Sequence, residues 1–132
     1  MIRRAVLLAA ALCAAGIAHA ADGLSGTYQP AGDAGAAFPA DAQLVVRAEG
    51  RGWLAMFRGE GLALLPLSAM EQHGLFPDIG PEARLQCAYS RAFLFCRVSP
   101  GTAFPDKNFT STTGYFTALS DDGIFEMRRV KI

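Results

Sequence analysis

The chain is poor in the residues from which catalytic centres are usually built. It holds only two histidines, and one of them, His19, lies in the apolar N-terminal segment. No GxSxG or comparable nucleophile context occurs. No glycine-rich turn opens a helix after a strand, as a phosphate loop requires. Asp121-Asp122-Gly123 lacks the following oxygen ligands of a calcium loop. The remaining histidine, His73, sits beside Gly74 with Glu71 nearby but with no nucleophile to activate. Near a helix C-terminus such a histidine is more simply a favourable charge. The aspartates at 121 and 122 precede a glycine in a turn, where Asp is favoured for backbone reasons. No enzyme, metal site or cofactor is therefore expected.

Positive charge is also not in excess, since twelve basic residues balance twelve acidic ones. Two of the basic residues, Arg3 and Arg4, belong to the N-terminal segment, which leaves ten against twelve in the rest of the chain. Nucleic-acid binding needs a basic face, so nucleic acid is not an expected partner. Beyond residue 20 no apolar run approaches the roughly 20 residues of a membrane span.

What the N-terminus does have is the layout of an export signal. Arg3 and Arg4 precede an apolar run from Ala5 to Ile17, and Ala18-His19-Ala20 places small residues at the two positions read on cleavage. The residue before Cys13 is Leu12, where a lipid-attachment signal would have Gly or Ala. The expected organisation is a cleaved signal at 1–20 and a single β domain at 21–132, periplasmic or secreted, with no stable membrane span. Asn108-Phe109-Thr110 matches a glycosylation sequon, a coincidence in a chain whose alanine-rich signal is of bacterial type.

Cleavage would remove Cys13 and leave two cysteines, Cys87 and Cys96. In an exported protein an even pair reads as a disulfide. If Arg91-Ala92 is a two-residue turn, Cys87 falls directly opposite Cys96 in a non-hydrogen-bonded pair, where backbones approach closest.

Period-2 alternation dominates the rest. It predicts strands at 24–29, 43–49, 52–58, 62–67, 83–89, 93–99, 114–120 and 124–132. Turns are expected at Gly50-Arg51, at Gly59-Glu60-Gly61 and around Asp121-Asp122-Gly123. Pro66 marks a sheet edge or a strand end. Ser68 and Glu71 have capping-box spacing, predicting about one helical turn over 67–74 that stops at Gly74. About eight sequential strands with one helical turn predict an all-β fold, either a small antiparallel up-and-down barrel or a strongly curved sandwich. The large residues Trp53, Phe57, Phe93, Phe95, Tyr115, Phe116 and Phe125 are expected to fill its interior. The Met127–Lys131 cluster, with Arg128 and Arg129 on opposite faces, reads as a solvated edge.

Two long loops carry apolar residues, 73–81 with Phe76 and 99–114 with Phe104 and Phe109. Such side chains either pack over the barrel end or present a recognition surface. Candidate partner contacts are thus Phe76, Phe104 and Phe109, with Arg91 at the tip of the cysteine hairpin. The expected function is binding of another envelope or extracellular protein by steric occlusion, as a periplasmic inhibitor or immunity-type module does. The general shape is similar to small periplasmic inhibitors. The alternative is a lipocalin-like carrier of a small apolar ligand.

Mass spectrometry of the exported protein should give a chain beginning at Ala21. Retention of Met1, or an acylated Cys13, would contradict the signal assignment.

Overall fold

The computed structural model describes residues 22–31, 43–119 and 123–131. The expected signal at 1–20 lies outside them, as do most of the 30–41 loop and the tip of the last hairpin. In chain order the strands are β1 (Gly26–Pro30), β2 (Leu44–Glu49), β3 (Gly52–Phe57), β4 (Glu60–Pro66), β5 (Gln86–Tyr89), β6 (Phe93–Arg97), β7 (Thr102–Phe104), β8 (Phe109–Ser111), β9 (Tyr115–Leu119) and β10 (Gly123–Lys131). Helix α1 (Ala69–Leu75) lies between β4 and β5. Eight strands close into an antiparallel barrel in the order β1-β10-β9-β6-β5-β4-β3-β2, with β2 returning to β1. The expected all-β architecture is therefore a barrel and not a sandwich. β7 and β8 pair with each other as a separate hairpin inside the β6–β9 connection, a segment the sequence presents as loop.

Local chemistry explains where the boundaries moved. The second turn falls at Arg58-Gly59, both with left-handed φ (52° and 81°), rather than at 59–61. A two-residue hairpin turn with positive φ at both positions matches strand twist, so Glu60 and Gly61 join β4. The strand expected at 83–89 starts three residues late, because Pro81–Ala83 forms a 3-10 turn and Arg84 takes a left-handed conformation. The capping box of Ser68 and Glu71 is present, but α1 runs through Gly74 to Leu75, and Phe76 caps it.

Alternation on the strands builds two cores on opposite sides of one wall. Inside the barrel, Leu24, Tyr28, Val46, Trp53, Leu64, Phe95 and Met127 pack together, with Phe93 and Tyr115 against them. The Tyr28 ring lies 4.8 Å from Phe95 and 4.9 Å from Tyr115, and its hydroxyl donates to the Leu24 carbonyl at 2.7 Å. Arg129, expected in a solvated edge, is half-buried at this closure. Its guanidinium donates to the Tyr115 hydroxyl at 3.3 Å and to the Ser25 carbonyl. Arg128 is exposed. Outside the barrel, the outward residues of β5, β6 and β9 form the second core, namely Cys87, Cys96 and Phe116. Phe76, Ala83, Val98 and Phe104 from the long connections cover them. Phe116 thus belongs to the outer core, one position out of phase with inward Tyr115. Phe57 and Phe125 are exposed and fill nothing.

Cys87 and Cys96 are register partners and form a disulfide, with Cα atoms 4.2 Å apart. The bond faces the outer core and not the barrel interior. Its short loop gives a stabilisation of about 2–3 kcal/mol on the chain-entropy estimate, and it pins a register in which a one-residue slip would reverse every side chain. Replacing both cysteines by serine should lower unfolding free energy by about that amount in urea titrations while leaving the far-ultraviolet dichroism intact. A loss of barrel signal on reduction alone would contradict the division into two cores.

Candidate functional site

The four expected contact residues separate into two groups. Phe76 and Phe104 are 3% and 0% exposed, so they offer a partner no surface. Their rings pack edge-to-face at 5.2 Å, and Phe104 meets Phe116 at 5.1 Å and Phe109 at 5.9 Å. Phe109 is half-buried against Phe116 at 5.5 Å. Three of the four therefore lie together as one aromatic cluster holding the loops down, the packing alternative for such residues. Arg91 is exposed at the other end of the barrel, at the tip of the β5–β6 hairpin.

Polar groups lock the same loops. Gln72 of α1 uses both ends of its amide, donating to the Leu85 carbonyl at 3.0 Å and accepting from the Cys87 N–H at 2.8 Å. Glu126 of β10 was not singled out from sequence. One of its carboxylate oxygens accepts from the hydroxyls of Ser111 (3.1 Å) and Thr113 (2.6 Å) and from the Thr113 N–H (2.7 Å). Only its even position on a strand hinted that it shares a face with Ile124 of the outer core. Two open concavities flank Ile79 and Gly80. One of about 360 Å³ has Asp78 and Glu82 on its lip with Ser99 and Thr102 opposite. The other, about 230 Å³, is lined by Gln72, His73, Phe76 and Arg84. His73 is exposed. Among the described residues no three His, Cys, Asp or Glu side chains come together as a metal site.

The opposite wall is bare among the described residues. Outward from β2, β3 and β4 point Val45, Leu54, Met56, Ala63 and Leu65, paired across the sheet as Val45–Met56–Gly61 and Leu54–Ala63. No loop among the described residues covers them. Val45, Leu65 and the neighbouring Tyr89 of β5 are 40%, 50% and 38% exposed. A Cβ on Gly61 would meet the Met56 sulfur at 3.1 Å and the Leu54 side chain at 3.5 Å, so both side chains lean over the glycine. The seam beside this wall is also incomplete. β4 pairs with β3 through five residues, from Glu60 to Leu64, but with β5 only at Leu65–Tyr89 and Pro66–Ala88.

Compared with protein-family models, curated proteins and solved structures, the chain matches none.

The site must therefore be read from its own residues. What the described residues offer is surface: two shallow polar concavities on the loop side and an apolar wall with an open edge on the other. Pro66, which marks an edge or strand end in the sequence, is the last residue of β4. Nothing in the alternation of 43–67 distinguishes a covered wall from a bare one, because outward Val, Leu and Met appear on both.

Helix α1, which borders the smaller concavity, depends on a titratable cap. The Ser68 N–H donates to the Glu71 carboxylate at 2.9 Å, and the Ser68 hydroxyl accepts from the Glu71 N–H at 3.1 Å. The Ser68 backbone bond foremost, and then its hydroxyl, hold the Glu71 carboxyl below the usual carboxylate range. A group depressed in the folded state adds stability that is present above its unfolded value and lost as pH falls through its folded value. Nuclear magnetic resonance should show Glu71 titrating below an ordinary glutamate, with the Ser68 amide losing its bonded shift in the same step. Simultaneous movement of the barrel amides would contradict a cap that acts locally.

Proposed function

We propose that this protein is an exported single-domain module that binds another protein of the envelope or extracellular space and acts by steric occlusion, in the manner of a periplasmic inhibitor or immunity-type protein. The observation carrying the reading is the bare wall. Soluble domains seldom leave contiguous apolar side chains uncovered without a use for them, and here Val45, Leu65 and Tyr89 stand out beside Leu54 and Met56. The β3–β4 hairpin continues past the end of β5, which gives a projecting element for a partner's cleft. The loop aromatics support this indirectly, by making the loop side a rigid buttress.

Two further features favour a protein partner over a carried small molecule. The barrel axis is occupied by Tyr28, Trp53, Leu64 and Phe95, all nearly inaccessible, and the two concavities lie outside it. The disulfide supports export, since such bonds persist in oxidising compartments. Among the described residues no helix is long and apolar enough to cross a membrane.

Pull-down from the envelope fraction with the mature protein should return a stoichiometric protein. Leu65→Lys, an exposed change that leaves the core alone, should reduce recovery about tenfold, the effect of losing one well-placed interface anchor. Recovery unaffected by Leu65→Lys and by Val45→Lys, or a retained small molecule in native mass spectrometry with no protein partner, would overturn the reading.

A further inference from the structure

We propose that the open edge of β4, from Glu60 to Leu64, is a strand-addition site for an extended segment of another protein that carries acidic side chains. The inference rests on the protein-binding reading and names how that partner is held. Backbone direction can be followed from the paired end of the seam. The Leu67 N–H donates to the Cys87 carbonyl at 2.9 Å, so Leu67 points its peptide groups toward β5. Peptide groups of alternate residues point the same way along a strand, so Leu65, Ala63 and Gly61 do likewise. At Tyr89 β5 ends, and the chain turns back through Arg91 and Ala92 with the Ser90 N–H donating to the Phe93 carbonyl at 2.9 Å. Ala63 and Gly61 each direct one donor and one acceptor to the side of β4 on which β5 has no paired residue beyond Tyr89, with Arg91 of the turn falling at the level of Ala63.

An incoming strand needs little room here. Gly61 and Ala63 place the two smallest side chains of the strand on the outer face, and exposed Leu65, Tyr89 and Phe57 stand at the two ends of the gap. Main-chain bonds supply affinity in such additions, while side chains at alternate positions supply choice. The side chains bracketing this gap are Arg58, at the tip of the β3–β4 hairpin, and Arg91, at the tip of the β5–β6 hairpin. Arg58 lies 5.4 Å from the Phe57 ring centre. Neither guanidinium has a carboxylate within ion-pair distance among the described residues, where the one ion pair is Lys107–Asp106. Glu60, the single acid on the edge itself, lies beside Arg58 and offsets it, so the net positive charge is that of Arg91 at the other end. A second copy fits less well. A twofold pairing of two β4 edges about Gly61 would set Arg58 of one copy opposite Leu64 of the other, next to that copy's Arg91, bringing like charges together.

The test uses the mature protein, isotopically labelled, and two blocked heptapeptides, Asp-Val-Thr-Val-Thr-Val-Asp and the same sequence with Lys at both ends. The acidic peptide should slow exchange and shift the amides of Gly61 and Ala63, and bind at least tenfold more tightly than the lysine peptide. Arg91→Glu should abolish or reverse that preference. Ala63→Pro, which removes a donor facing the gap and not one facing β3, should abolish binding while dichroism stays that of the barrel. Shifts mapping elsewhere, equal affinity for both peptides, or undiminished binding by Ala63→Pro would overturn the proposal. So would self-association in sedimentation that protects the same two amides without peptide. If the envelope partner is still captured by Ala63→Pro at full yield, the edge assignment falls and the protein-binding reading stands. If neither peptide nor partner binds the unaltered protein, both fall.

Discussion

The cross-strand pairing of Cys87 with Cys96 sets which way the hairpin formed by β5 and β6 faces, and the rest of the surface follows from that choice. With these cysteines outward, Ala88 and Phe95 must point inward, because neighbouring side chains on a strand alternate. The interior then gains Phe95 against Tyr28 and Tyr115. The exterior gains an apolar strip of disulfide, Leu94 and Phe116 that water should not touch. A wall apolar on both faces needs a cover, and the two long connections supply it. Among the described residues the protein is thus a barrel in which one wall is shared by two cores and the opposite wall serves one.

That division assigns the loops a structural role. Phe76 and Phe104 close over the outer strip, Gln72 ties α1 to the strand carrying Cys87, and Glu126 gathers Ser111 and Thr113 beneath the β7–β8 hairpin. A buried aromatic cluster of this kind contributes several kcal/mol through burial, roughly 1.5–3 per large side chain. The outward side chains of β2, β3 and β4 receive no such cover among the described residues. Packed loops thus lie on one side of the barrel and a partly unpaired strand edge on the other.

Much of this is legible in the sequence. Strict alternation located all eight barrel strands to within a few residues, because a half-buried strand leaves a period-2 trace that helices cannot imitate. The disulfide followed from parity and spacing, and the capping box from Ser68 and Glu71. Alternation carries no sign, however, so it could not say which face of 83–99 was interior or that Phe116 and Tyr115 serve different cores. Nor could it reveal that Thr102–Phe104 and Phe109–Ser111 pair, since three-residue strands are too short to show a period. Arg129 looked like surface because its partners, the Tyr115 hydroxyl and the Ser25 carbonyl, lie far away in the chain. The unpaired part of β4 is hidden for the same reason: an edge is a property of two strands of unequal length, and only pairing shows where one stops.

Residue-resolved hydrogen exchange of the native protein tests the two-core account most directly, because amides in cooperative packed units open only with the unit as a whole. The amides of Val98, Ser99, Gly101 and Gly114, bonded to Gly114, Ala83 and Ser111 at 2.7–3.1 Å, should exchange nearly as slowly as those of β6. Exchange of these loop amides at the rates of an unstructured peptide, beside a protected barrel, would contradict the second core and return the loop aromatics to the surface.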